Sequence, residues 1–242
     1  MSSKTQRLDK FLTASSDLTR SLAKKALHRG EVTVNGEVVK DSGLQVGAGD
    51  RVCWLDEHLQ ITGLRYLLLN KPVGYECSSK SSHHPLVTDL LQGLAARERI
   101  QSVGRLDVDT SGLLLLTDDG QWLHRITSPK YRKEKVYRAQ LAEPLVADAE
   151  ERIQAGLLLE GDDEPTLPAL LVRETDQLVR LTLTEGRYHQ VRRMFAALGN
   201  HVQLLHREQV GGVSLDEQQL PPGQWRELDE VEIQLLAAAA ES

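Results

Sequence analysis

The chain has 242 residues, 40% of them hydrophobic and 26% charged, with a formal net charge of −6; that is enough apolar material for a sizeable core without covalent staples, as one large domain or a small one beside a medium one. The two cysteines, Cys53 and Cys77, form no close pair and match no metal-ligand spacing, so reduced thiols in a cytoplasmic protein are expected. No apolar run approaches the roughly 20 residues of a membrane span, and the polar start Met1-Ser2-Ser3-Lys4-Thr5-Gln6-Arg7 lacks the apolar stretch of a signal peptide, so neither a membrane protein nor a secreted one is expected.

In chain order, Leu8, Phe11 and Leu12 have the i, i+3, i+4 spacing of a helix. A second helix runs over residues 19–27, with Thr19 as N-cap, Leu22, Ala26 and Ala23 inward, and Arg20, Lys24 and His28 on an outward face. Strands at 31–34 and 37–39 are joined by Asn35-Gly36, a strong hairpin signal, and residues 47–54 supply a further turn and strand. These elements form a small unit over residues 1–56, and residues 57–64 read as a linker. Beyond it, strands are expected at 65–70 (stopped by Lys71-Pro72), 113–117, 135–141, 169–172, 178–183, 202–205 and 210–213. Helices are expected at 121–126, at 148–155 with Asp148 as N-cap, and at 187–198, stopped by Gly199-Asn200. The pattern is α+β: a largely antiparallel mixed sheet flanked by helices, filling residues 65–242.

Charge is unevenly placed. Residues 140–185 carry −8 and residues 216–242 carry −6, whereas residues 1–51 and 186–215 each carry +3. Both acidic blocks read as solvated faces, and the mildly basic remainder leaves a polyanionic partner open.

Three clusters carry candidate chemistry. Gly104-Arg105-Leu106-Asp107-Val108-Asp109-Thr110-Ser111-Gly112 places two carboxylates in a turn at the mouth of an apolar strand, where a rigid element fixes their position. Taken alone it reads slightly better as a surface turn. Glu185-Gly186-Arg187-Tyr188-His189-Gln190-Val191-Arg192-Arg193-Met194-Phe195 puts Val191, Met194, Phe195 and Leu198 on one apolar helix face, with Arg192 and Arg193 beside it and His189 one turn earlier as a packing residue. The arginine pair suits bidentate pairing with a carboxylate or phosphate. Ser128-Pro129-Lys130-Tyr131-Arg132-Lys133-Glu134-Lys135-Val136-Tyr137 interleaves cations with aromatic rings, as phosphates and stacked bases require. Asn70-Lys71-Pro72-Val73-Gly74-Tyr75 reads as a structural strand-end turn.

On Arg7-Leu8-Asp9-Lys10, the basic second helix, Gly30-Glu31-Val32-Thr33-Val34-Asn35-Gly36 and the late Gly49-Asp50 turn, the first fifth of the chain resembles an S4-type RNA-binding domain. The turn at 104–112 resembles the active-site loop of pseudouridine synthases. So, in order along the chain, do Leu69-Asn70-Lys71-Pro72, Thr117-Asp118-Asp119-Gly120, Lys135-Val136-Tyr137, residues 186–195 and Leu205-His206-Arg207-Glu208-Gln209-Val210-Gly211-Gly212. With the S4-type domain ahead, the resemblance narrows to the RsuA/RluB-type group. Tyr188-His189-Gln190 and Gly199-Asn200-His201-Val202 resemble the enzymes of small-subunit rRNA more than those of the large subunit.

The resemblance implies a small S4-type α/β domain followed by a catalytic domain that isomerises uridine to pseudouridine in 16S rRNA, within an assembling subunit, as a monomer. No cofactor is implied, because the reaction needs neither a redox step nor a group donor. It also implies Asp107 as the catalytic aspartate, Tyr137 as the ring stacked on the uracil, Arg192 as the partner of Asp107, and Leu205 in the apolar wall. Arg105, Asp109 and Thr110 would hold the loop. Arg105, Arg20, Lys24, Lys71, Lys130, Arg132, Lys133 and Arg193 are the expected contacts to RNA. Two other target classes stay open: a pseudouridine synthase acting on 23S rRNA and a non-catalytic S4-type assembly factor. A glycosidase using Asp107 and Asp109 fits less well, since adjacent loop carboxylates do not straddle a bond at the roughly 5 Å or more that chemistry needs.

Overall fold

Short apolar periods and one Asn-Gly turn build the N-terminal unit of the computed structural model, which describes residues 5–16, 18–47, 49–59, 63–79, 83–94 and 97–238. Its elements are β1 (Gln6–Arg7), α1 (Leu8–Ser15), α2 (Arg20–Arg29), β2 (Val32–Val34), β3 (Glu37–Val38), β4 (Gln45–Val46), β5 (Val52–Trp54) and β6 (Glu57–Leu59). The strands form an antiparallel sheet in the order β3-β2-β5-β6, with β1 and β4 paired separately. Asn35 and Gly36 both take positive φ, 55° and 88°, as the two-residue hairpin turn demands. The Asn35 side chain donates to Asp50 at 2.9 Å, and Asp50 accepts from the Gly47 amide at 2.8 Å, so the late turn is tied to the hairpin. Thr19 caps α2 by accepting from the Leu22 amide at 3.3 Å. Leu22 itself is 45% exposed; the inward face is Ala23, Ala26 and Leu27, which pack on Leu8, Phe11 and Leu12.

The two compact units are residues 1–64 with 93–99, and residues 65–92 with 100–242. The expected linker at 57–64 therefore begins as strand β6, paired with β5, and residues 93–99 group with the N-terminal unit. Met1–Lys4 and residues 60–62 lie outside the described residues.

The second unit holds β7 (Tyr66–Lys71), β8 (Gln101–Ser102), β9 (Thr110–Thr117), α3 (Gly120–Thr127), β10 (Lys135–Leu141), α4 (Ala149–Ala155), β11 (Leu170–Arg173), β12 (Leu178–Leu183), α5 (Gln190–Ala197), β13 (Val202–Val210), β14 (Val213–Ser214), β15 (Trp225–Glu227) and α6 (Glu230–Ala237). The sheet runs β11-β12-β10-β13-β9-β7-β15, with β14 beside β13 and β8 beside β9. Only the central β9–β13 pair is parallel among the named strand pairs. Gly112 sits at that crossing with φ of 108°, and a Cβ there would lie 2.3 Å from the carbonyl oxygen of Arg207. Helices α4 and α5 cover one core cluster through Ala149, Ile153, Val191, Met194 and Phe195; Trp122 and Ile126 of α3 and Leu236 of α6 contribute to a second. No helix among the described residues is long and apolar enough to cross a membrane.

Several expected boundaries move. β9 begins at Thr110, so the last residues of the 104–112 turn are already strand. β13 is continuous where two strands were expected, because its polar stretch is satisfied: Arg207 Nε donates to the Leu113 carbonyl at 2.8 Å, His206 meets Ser111 at 2.9 Å, and Glu208 pairs with Arg180 at 2.8 Å. α5 starts at Gln190, since His189 takes a left-handed backbone with φ of 47°. Asp148 occupies the N-cap position of α4 without a capping bond. The acidic blocks are not simply solvated. Glu150, Asp162 and Glu174 pair with Arg173, Arg187 and Arg180, and Asp229 with Glu232 forms the capping box of α6, whose Leu236 is buried.

Candidate active site

A cavity of about 520 Å³ opens in the second unit, walled by the 103–107 loop, the start of β9, β10, the β12–α5 connection, α5 and β13. Asp107, Tyr137, Arg192, Leu205, Arg105 and Lys133 all line it. Strand alternation explains part of this. Lys135 and Tyr137 are two residues apart on β10, Leu205 and Arg207 two apart on β13, and Tyr137 faces Arg207 across the ladder.

The Asp107 loop is held from below by Lys71. That side chain is 0% exposed, and its ammonium donates to the carbonyls of Thr110 at 2.8 Å, Asp107 at 3.0 Å, Pro72 at 3.2 Å and Val108 at 3.4 Å. Burial pulls the Lys71 pKa down, opposed by the nearby Asp107 and Asp109 charges. Lys71, expected to contact RNA, is instead a buried clamp on the loop. The Asp107 amide neighbourhood is closed by a turn, the Thr110 amide donating to the Asp107 carbonyl at 3.1 Å.

The Asp107 carboxylate is partly exposed and lies 3.3 Å from Nε2 of His189. Its expected partner, Arg192, grips the other carboxylate: Nη2 is 2.9 Å from Asp109, and Nη1 donates to the Val202 carbonyl at 2.9 Å. Arg192 thus ties the loop to α5 and β13 through Asp109. Its Nε is buried without a hydrogen-bond partner among the described residues, as is Oγ1 of Thr110. Arg105, expected to help hold the loop, is exposed on the cavity wall and makes no hydrogen bond among the described residues.

Tyr137 is half-buried against the core cluster that contains Leu205, and its hydroxyl makes no hydrogen bond among the described residues. Beside it lie two cations. Arg207 is 3% exposed, with Nη2 buried and without a hydrogen-bond partner among the described residues. Lys135 donates to the Lys133 carbonyl at 2.8 Å, and burial, with Arg207 nearby, pushes its pKa down to about 8.

The other expected RNA contacts divide. Lys133 is buried and donates to the Ala238 carbonyl beyond α6, and Arg193 is locked onto Asp162 and the Glu160 carbonyl; neither is free for phosphate. Lys130 and Arg132 are exposed, in the turn between Pro129 and Lys133 at the cavity wall. Arg20 and Lys24 are exposed on α2 of the N-terminal unit, Arg20 reaching to 3.4 Å from the buried Asp9. Among the described residues no cluster of three or more His, Cys, Asp or Glu is placed to hold a metal ion.

Among the cavity residues that escaped the reading of the sequence are His189, Lys135 and Arg207. The period-2 relation of Lys135 to Tyr137 and of Arg207 to Leu205 carried the signal for two of them. His189 depends on a positive φ that no residue type announces.

Residues 65–197 match the family model described as RNA pseudouridylate synthase. The chain belongs to this family. Residues 6–52 match the S4 domain, so the pseudouridine synthase domain follows an S4 domain here. Proteins named ribosomal small subunit pseudouridine synthase A are similar along nearly their whole length. That of Pasteurella multocida is 47% identical, covering 94% of this chain and 97% of the relative. That of Haemophilus influenzae is 48% identical over 95% and 99%, and that of Escherichia coli 45% identical over 94% and 98%. A solved pseudouridylate synthase structure is 46% identical, with a TM-score of 0.69, covering 96% of this chain and 99% of that one. The chain is an RNA-modifying isomerase.

Proposed function

We propose that this pseudouridine synthase acts on a uridine of 16S rRNA, with Asp107 as the residue that attacks or deprotonates the ribose. The observation that carries this reading is the Asp107 carboxylate held on a clamped loop in one cavity with Tyr137 and Leu205. The small-subunit target is supported by the names of relatives that match 94–95% of this chain at 45–48% identity.

The reaction breaks the N1–C1′ bond, turns the uracil and joins C5 to C1′, releasing the C5 proton. The target must leave its stack to reach the cavity, at a cost of a few kcal/mol. Tyr137 offsets part of that by stacking on the base, with Leu205 excluding water beside it. The detached uracil carries the N1–C1′ electron pair, and the unpartnered Nη2 of Arg207 with the Lys135 ammonium supplies positive charge on the same wall. Arg105 on the cavity wall, Lys130 and Arg132 in the turn between the wall residues Pro129 and Lys133, and Arg20 and Lys24 on the S4 domain, are the exposed cations offered to phosphates.

The test is to incubate the purified protein separately with 16S and 23S transcripts and with assembling small subunits, then map pseudouridines. A single new site in 16S rRNA is expected. Modification confined to 23S rRNA would overturn the target assignment.

A further inference from the structure

The connection from β12 to α5, Glu185-Gly186-Arg187-Tyr188-His189, is pinned at its centre and exposed at its end. Arg187 donates to Asp162 and to the Glu164 carbonyl, each at 2.8 Å, to the Pro165 carbonyl at 2.6 Å and to Glu185 at 3.2 Å. Its amide donates to Gln190 Oε1 at 2.8 Å. Beyond this anchor Tyr188 is 77% exposed, and its ring stacks on the His189 imidazole with centroids 3.8 Å apart and planes 20° apart. His189 holds φ of 47°, a left-handed backbone that residues with a Cβ rarely adopt. That backbone sets Nε2 3.3 Å from Asp107, and both Tyr188 and His189 line the cavity.

A chain with 4% aromatic residues thus spends one on an open ring, backed by a second ring, at the rim of the site that receives the uridine. Neither Tyr137 nor the core uses it. Resting on the activity proposed above, we infer that the Tyr188–His189 stack is a second nucleobase subsite, which receives the base next to the target uridine. When the target swings into the cavity its neighbour loses a stacking partner, and an aromatic face accepts any base because every base has a π-face. The Arg187 anchor presents that face already ordered. The contact from His189 to Asp107 couples the position of the stacked base to the catalytic loop.

The test is a protein–RNA double-mutant cycle in tritium release from 5-tritiated target uridine. The enzymes are the parent, Tyr188→Ala and Tyr188→Phe; the RNAs are intact or carry an abasic nucleotide on either side of the target. On intact RNA, Tyr188→Ala should raise KM roughly 5- to 150-fold, the range of one base–aromatic stack, while Tyr188→Phe stays near the parent. With the correct neighbour abasic, Tyr188→Ala should cause no further loss. An unchanged KM for Tyr188→Ala, or a loss undiminished on both abasic RNAs, would overturn the subsite while parent turnover on intact RNA still upholds the activity. A parent that turns over no intact RNA would overturn the activity, and the subsite with it. Tyr188 is 77% exposed, so truncating it opens no cavity in the core and unfolding does not confound the variants.

Discussion

Replacing Lys71 by Met separates a loop clamp from an RNA contact. In the folded chain the Lys71 ammonium is fully buried and bonded to four carbonyls, two of them at 3.0 Å or less. Met fills much of the same volume but leaves those carbonyls unpaired, at ~1–3 kcal/mol for each well-bonded one. Removing the buried charge returns part of this, because burial already disfavours the ammonium. The net expectation is a loss of about 2–4 kcal/mol in urea unfolding, with kcat falling because Asp107 is no longer fixed. The salt dependence of RNA binding should not change, since no phosphate meets Lys71. An unaltered unfolding midpoint, together with a log K versus log salt slope shallower by ~0.7–0.9, would refute the clamp and restore Lys71 as a phosphate contact.

Lys135 gives a pH signature. Its pKa is about 8 in the folded chain against 10.5 ordinarily, so between these values the unfolded chain binds more protons and stability rises with pH. Lys135→Met should be more stable than the parent below pH 8, by ~3 kcal/mol at most, and the gap should narrow to under ~1 kcal/mol by pH 10; parallel profiles from urea melts at pH 7 and 10 would contradict this. Gly112→Ala should cost at least ~3 kcal/mol, because its Cβ would overlap the Arg207 backbone at a positive φ. Gly186→Ala, with nothing within 4 Å of the added carbon, should stay within ~1 kcal/mol of the parent, both glycine variants being measured by urea unfolding.

The sequence was most legible where a local signal fixed the backbone. Asn35-Gly36 announced its hairpin, Thr19 its cap, and the alternation of residues 178–183 its half-buried strand. Leu22 was misplaced because Leu22 and Ala26 satisfy helical spacing as well as Ala23, Ala26 and Leu27 do; the choice between them is made by packing on α1. β13 was divided at His206-Arg207-Glu208-Gln209 because partners on β9, β12 and the loops, not local apolarity, hold that stretch in the sheet. The site followed the same rule. Asp107, Tyr137, Leu205 and Arg192 were legible as residues, and the structure gathers them in one cavity. Which carboxylate Arg192 meets depends on how the loop enters β9, and two aspartates two residues apart cannot be separated by spacing. Lys71 looked like any strand-end cation until four carbonyls closed around it.

The central claim rests on Asp107, and tritium release tests it directly. Forming the C5–C1′ bond expels the C5 hydrogen, so 16S rRNA carrying 5-tritiated uridine should lose tritium to water with the parent protein. Asp107→Asn, which keeps the loop and its Lys71 clamp, should release none while binding the RNA as before. Release by Asp107→Asn at a rate near that of the parent would contradict the account.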